Sequence, residues 1–205
     1  MRELLAYGDS NTWGLVPGKN LKNRYPRNKR WTGILEDKLK DVRVYEEGLC
    51  GRTTVFEDEL RPDRRGVDFL PVLLESHYPV DGVILMLGTN DCKTYYNASP
   101  YTIGKGVERC LAEIEKYIAP ENIVLVSPIL LGDDVWRPEK DPEFDKKSIE
   151  VCKGLKEVYK EIAARHGNKF VAASDYAKAS EVDDEHLSEE GHEKLAEALL
   201  SVISD

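Results

Sequence analysis

No stretch of the 205-residue sequence approaches the ~18 consecutive apolar residues of a membrane span. The charged opening MRELLAY also lacks the apolar core of an export signal. Both features point to a cytoplasmic protein without a membrane partner. Excess positive charge is missing as well: the net charge is −9, which argues against nucleic acid as the main partner. The four cysteines, Cys50, Cys92, Cys110 and Cys152, include no CxxC pair. Neither a zinc site nor a thiol–disulfide motif is therefore expected, and buried reduced thiols are. The Gly-rich patterns that cradle phosphates or dinucleotides are absent, so no organic cofactor is expected either.

What remains is ordinary globular material. With 41% apolar and 33% charged residues, the chain has enough core-forming side chains for one domain without disulfide or metal staples. One basic run, KNLKNRYPRNKR at 19–30, reads as a solvated loop or as a rim beside a site for anionic substrates.

Five apolar segments read as strands: ELLAY (3–7), VRVYEE (42–47), GVILML (82–87), NIVLVS (122–127) and KFVAAS (169–174). GVILML and NIVLVS are almost continuously apolar, as strands covered on both faces must be. Helical stripes lie between them: Trp31, Ile34, Leu35 and Leu39; then Val107, Leu111, Ile114 and Ile118; then Val151, Leu155, Val158 and Ile162. A last helix begins after Ser188, an N-cap residue followed by Glu189 and Glu190. Alternating strands and helices without hairpin signals predict a parallel sheet with helices on both sides. Working residues in such sheets gather at the carboxyl ends of the strands.

Polar segments stand at those ends. The first strand runs into Gly8-Asp9-Ser10, the second into EEGLCGRTT (46–54), the third into MLGTND (86–91) and the fifth towards EVDDEHLSEEGH (181–192). Gly-Asp-Ser alone is most simply a turn. A serine nucleophile needs a base, and the chain has four histidines: His77, His166, His186 and His192. His77 and His166 fall at predicted helix ends, and His192 is in register with the apolar face of the last helix. His186 sits in a loop with Asp183 three residues earlier and Asp184 two earlier. A carboxylate at that spacing can orient one ring nitrogen and leave the other free, and Asp183 fits better than Asp184. Donors for an oxyanion come from the Asn90 side chain and the N–H groups of Gly48 and Ser10.

These residues resemble the four blocks of the SGNH hydrolase superfamily, the GDSL esterases and lipases. Ser10 stands in YGDSNTWG, Gly48 in EEGLCGRTT, Asn90 in LGTND and His186 in DDEH. The strings GDSNTWG, RWTGIL, EEGLCGRTT and MLGTND are similar to the arylesterase and acyltransferase branch in particular. The resemblance implies a three-layer α/β/α sandwich with a five-stranded parallel sheet, flavodoxin-like in outline. It implies Ser10 as nucleophile, His186 as base, Asp183 as its orienter, and Ser10, Gly48 and Asn90 as the oxyanion hole. The activity implied is hydrolysis of short-chain carboxylic esters through an acyl-enzyme, with acyl transfer to alcohols as a variant. Acetylated sugars, lysophospholipids or thioesters are alternative substrates for the same triad, and a catalytically silent small-molecule binder is the non-enzymatic alternative.

Two departures stand out. Asn11 replaces the leucine of the Gly-Asp-Ser-Leu pattern, and Glu185 adds a carboxylate beside the base, which should raise the histidine pKa. Asn11, Trp13, Trp31 and the loop LLGDDVWRPEKDPEF (130–144) are candidate pocket walls, with Trp31 read as core first. The same loop could serve as a lid or as a contact between copies in a homo-oligomer.

Overall fold

The computed structural model describes residues 1–204. Five parallel strands form the sheet: β1 (Arg2–Gly8), β2 (Val42–Gly48), β3 (Gly82–Met86), β4 (Ile123–Ser127) and β5 (Lys169–Ala172). Their spatial order is β2-β1-β3-β4-β5. All four pairings are parallel, with Gly8 level with Gly48 on one side and with Met86 on the other. The five expected strands are all present, each within about two residues of its predicted limits.

Alternation along the strands divides the core in two. Leu5, Tyr7, Val83, Leu85, Ile123 and Leu125 face one layer, packed on α3 (Gly66–Ser76), α4 (Pro100–Ile114) and α5 (Lys146–His166). Leu4, Ala6, Ile84, Met86, Val124 and Val126 face the other, packed on α2 (Trp31–Lys38) and α6 (Glu189–Ile203). This is the three-layer α/β/α arrangement. β3 and β4 are buried at every position, because helices cover both of their faces.

The helices start and stop where local chemistry dictates. Ser99 caps α4 by accepting from the Thr102 N–H, and Pro100 fills its first position, where no N–H is needed. Asp145 and Ser148 form a reciprocal capping box on α5, which ends at Gly167 in the left-handed region. Ser188 caps α6 as expected, with Glu189 and Glu190 in its first turn. α4 stops at Ile114, so Ile118 is buried from the turn beyond the helix.

α3 ends with His77 as its C-cap, where a helix end is expected, and carries Pro71 in its interior with Leu70 and Leu74 buried on either side. α1 (Ser10–Trp13), a single turn, goes beyond the sequence reading. Among the described residues no helix is long and apolar enough to cross a membrane.

Strand order reverses between β1, which leads outward to β2, and β3, which begins the run in the opposite direction. A crevice opens at the carboxyl ends of strands at such a switch point. Ser10 follows β1 and Asn90 follows β3, so the topology brings both to that crevice.

Candidate active site

Asp9 follows β1 and caps α1, its carboxylate accepting from the Asn11 N–H at 2.9 Å. Burial pushes this carboxyl up to about 6, against the pull of that hydrogen bond. α1 closes at Gly14, in the left-handed region, whose N–H donates to the Ser10 carbonyl. Ser10 is thereby the first residue of a helical turn, and its N–H has no acceptor within that turn.

The base arrives from the far end of the chain. His186 Nε2 lies 2.9 Å from Ser10 Oγ, and His186 Nδ1 lies 2.9 Å from Asp183 Oδ2. Asp183 is further fixed as an acceptor for the N–H groups of Gly18, Glu185 and His186. Burial opposes its ionisation, but the hydrogen bonds and charge of His186 hold it below the ordinary range. Asp184 turns away: its φ is 59°, and its carboxylate binds Lys140 Nζ at 2.7 Å and the Asp134 N–H at 3.1 Å. Of the two carboxylates only Asp183 meets the imidazole ring. Burial draws the His186 pKa down, but Glu185 and Asp183 outweigh it and raise it to about 9.

The remaining histidines are accounted for elsewhere. His192 is fully buried, accepts from the Trp31 N–H at 3.3 Å, and is pulled to about 3 by burial. His77 stacks on Tyr45 and pairs with Glu47, and His166 pairs with Glu115.

Asn11, expected in the pocket wall, faces inward instead. Its Nδ2 donates to the Glu185 carbonyl at 3.3 Å and its Oδ1 accepts from the Leu187 N–H at 2.9 Å. It braces the nucleophile's turn against the base's loop on both sides of His186. Trp13 is also displaced from its expected place, lying under the Arg24 guanidinium 5.1 Å from the ring centre. Trp31 is core, with its indole N–H on the Asn11 carbonyl.

Gly48 needs a correction as well. It ends β2 beneath α1, where an added Cβ would come 2.2 Å from the Trp13 nitrogen. Its smallness lets the nucleophile's turn cross the sheet, and it does not line the cavity. Gly51, three residues on, does. Its φ is 84°, and no described residue accepts a hydrogen bond from its N–H. Both glycines belong to the same motif, and only the turn conformation separates their roles. Asn90 holds the position expected of it: Nδ2 donates to the Arg52 carbonyl at 3.1 Å, leaving its second N–H free, and the residue lines the cavity. Asp91 clamps the two loops together by accepting from the Thr54 N–H at 3.0 Å and from the Thr54 hydroxyl.

A cavity of about 410 Å³ opens over Ser10, Gly51, Asn90 and His186. Lys19, Asn20 and Leu21 from the basic run, with Gly18 just before it, form one wall, so part of that run is a rim. Its arginines are not: Arg24 and Arg30 pair with Glu46, and Arg27 with Glu36 and Asp37. Another wall comes from Glu139, Lys140, Asp141 and Glu143 of the 130–144 loop, while Trp136 faces away and binds the Asp133 carbonyl. Salt bridges from Lys140 to Asp184 and from Lys93 to Glu143 pin this loop. The lining is thus largely polar and charged and holds no aromatic side chain, so neither Trp13 nor Trp31, both candidate walls, contributes to it.

A serine activated by an oriented histidine, at the switch point of a parallel α/β sheet, defines the serine-hydrolase class of site. Residues 6–194 match the model of the GDSL-like lipase/acylhydrolase family, and the chain belongs to that family; it is an ester-hydrolysing enzyme. Among solved structures it is similar to Est24, a carbohydrate acetylesterase from Sinorhizobium meliloti, at 34% identity with a TM-score of 0.89. The native aryl esterase of M. smegmatis is 31% identical, also with a TM-score of 0.89. In both cases 100% of this chain and 99% of the other are covered. A lipase/acylhydrolase from Enterococcus faecalis, 23% identical, shares the fold with a TM-score of 0.70 over 99% of this chain and 95% of that one. A comparison with curated proteins found no match.

Proposed function

We propose that the enzyme hydrolyses short-chain carboxylic esters, of acetyl type, through an acyl-enzyme on Ser10. The observation that carries this reading is the continuous chain from Ser10 Oγ through the His186 ring to Asp183, with both contacts at 2.9 Å, at the floor of the cavity. His186 Nε2 takes the Ser10 proton as Oγ attacks the ester carbonyl. The carbonyl oxygen becomes an oxyanion, held by the Ser10 and Gly51 N–H groups and by Asn90 Nδ2. The intermediate collapses as His186 returns its proton to the departing alkoxide, and the alcohol leaves. Water, deprotonated by the same nitrogen, attacks the acyl-serine, and the acid is released as Ser10 regains its proton. An alcohol in place of water would give acyl transfer by the same step.

A polar cavity favours esters of hydroxylated alcohols over long acyl chains, and the similarity to a carbohydrate acetylesterase supports that preference. Four unpaired, buried thiols suit a reducing compartment, and we take the cytoplasm as the site of action. The test is hydrolysis of p-nitrophenyl acetate, butyrate and octanoate by the wild type and by Ser10→Ala. The expected result is fastest turnover of acetate and a loss on the order of 10³-fold or more in the variant. Equal rates in the two proteins would overturn the reading.

A further inference from the structure

Glu185 exchanges no proton in the reaction just described and acts there only through its charge on His186, yet it is buried at the edge of the reacting atoms. The residue is 6% exposed and lines the cavity with Ser10 and His186. Among the described residues no donor lies within hydrogen-bond distance of its carboxylate. Its ion-pair neighbour is His186 Nδ1 at 3.7 Å, and that nitrogen already meets Asp183 at 2.9 Å. The carboxylate keeps its access to the cavity and meets no protein donor, while its own backbone is engaged: the Glu185 N–H goes to Asp183 and its carbonyl accepts from Asn11. Lys93, also buried on the cavity wall, is held by Glu143 at 2.5 Å. Asp184, one residue earlier in the chain, is satisfied by Lys140 and the Asp134 N–H, so of these two neighbouring carboxylates only Glu185 lacks a protein donor.

We infer that Glu185 is a specificity-determining residue, accepting a hydrogen bond from a hydroxyl group on the substrate close to the scissile ester. The inference rests on the esterase reading above and extends it to the choice of substrate. A bound hydroxyl would supply the donor that Glu185 lacks. A substrate with only methylenes there would leave the carboxylate unpaired and bind its transition state less well.

Two acetates of nearly equal shape make the test, 2-hydroxyethyl acetate and n-propyl acetate, which differ by a hydroxyl in place of a methyl. The wild type should favour the hydroxyethyl ester in kcat/KM by about 10-fold or more, the scale of one hydrogen bond to a charged group. Glu185→Leu should abolish or reverse that preference, and Glu185→Gln, which retains a carbonyl acceptor, should keep part of it. The readout is a ratio, so any change in the protonation of His186 affects both esters alike and cancels. Hydrolysis of p-nitrophenyl acetate by each variant reports an intact fold and triad. A wild type that cleaves p-nitrophenyl acetate but shows no preference, or a preference unchanged in Glu185→Leu, overturns the inference. A wild type inert towards p-nitrophenyl acetate would sink the esterase reading itself.

Discussion

Burial alone would keep the His186 ring neutral well below pH 7, yet the carboxylates of Glu185, Asp183 and Asp9 reverse that pull and set its pKa at about 9. The base acts only when neutral. Protonation therefore removes activity as pH falls through the folded value, and kcat/KM should rise with pH through a limb near 9. Glu185 is itself pushed up to about 7 by burial, so it is ionised and exerts its full effect above neutrality. Glu185→Gln should move the limb about one unit or more towards the ordinary histidine value near ~6.5. A pH–rate profile on p-nitrophenyl acetate checks both statements, and a wild-type limb near 6.5 would contradict them. At this scale much of the site was legible. Asp183 and His186 are three residues apart, so one loop sets their geometry, and both lie where the spacing put them. Gly48 and Gly51 were not separable, because which N–H faces the cavity depends on a left-handed turn that spacing does not encode. Asn11 and Trp13 were candidate walls, but the turn of α1 points them elsewhere.

Between elements, the triad depends on holding α1 against a loop more than 170 residues away in the chain. Asn11 does this with two hydrogen bonds, to Glu185 and Leu187, which flank His186 in sequence. Asn11→Ala leaves a buried N–H and a buried carbonyl unpaired, at about 1–3 kcal/mol each, and frees His186 to drift from Ser10. Thermal unfolding should show a lower Tm. Because small misplacements of reacting groups are costly, kcat should fall about 10-fold or more while KM changes little. An unchanged kcat with only a lower Tm would mean that Asn11 supports the fold alone. The strands were readable because each is a short apolar run ended by polar residues. Of α3 only its end near His77 was read, since Pro71 stands inside it, although Val67, Leu70 and Leu74 keep helical spacing on its buried face.

On the scale of the whole molecule, the order β2-β1-β3-β4-β5 explains why residues 10, 51, 90 and 186 meet. They follow β1, β2, β3 and β5, and the sheet gathers those ends on one side. That convergence was foreseeable from alternating strands and helices. The character of the cavity was not, because its walls combine segments near 18–21, 61, 139–143 and 182, whose proximity exists only after folding. The central claim is that Ser10 Oγ carries the acyl group between the two half-reactions. Rapid acid quench of the enzyme with p-nitrophenyl acetate, followed by intact and peptide mass analysis, tests it most directly. One acetyl group is expected on the peptide containing Ser10, and none in Ser10→Ala. Turnover with the acetyl group on another residue, or rapid turnover by Ser10→Ala, would contradict it.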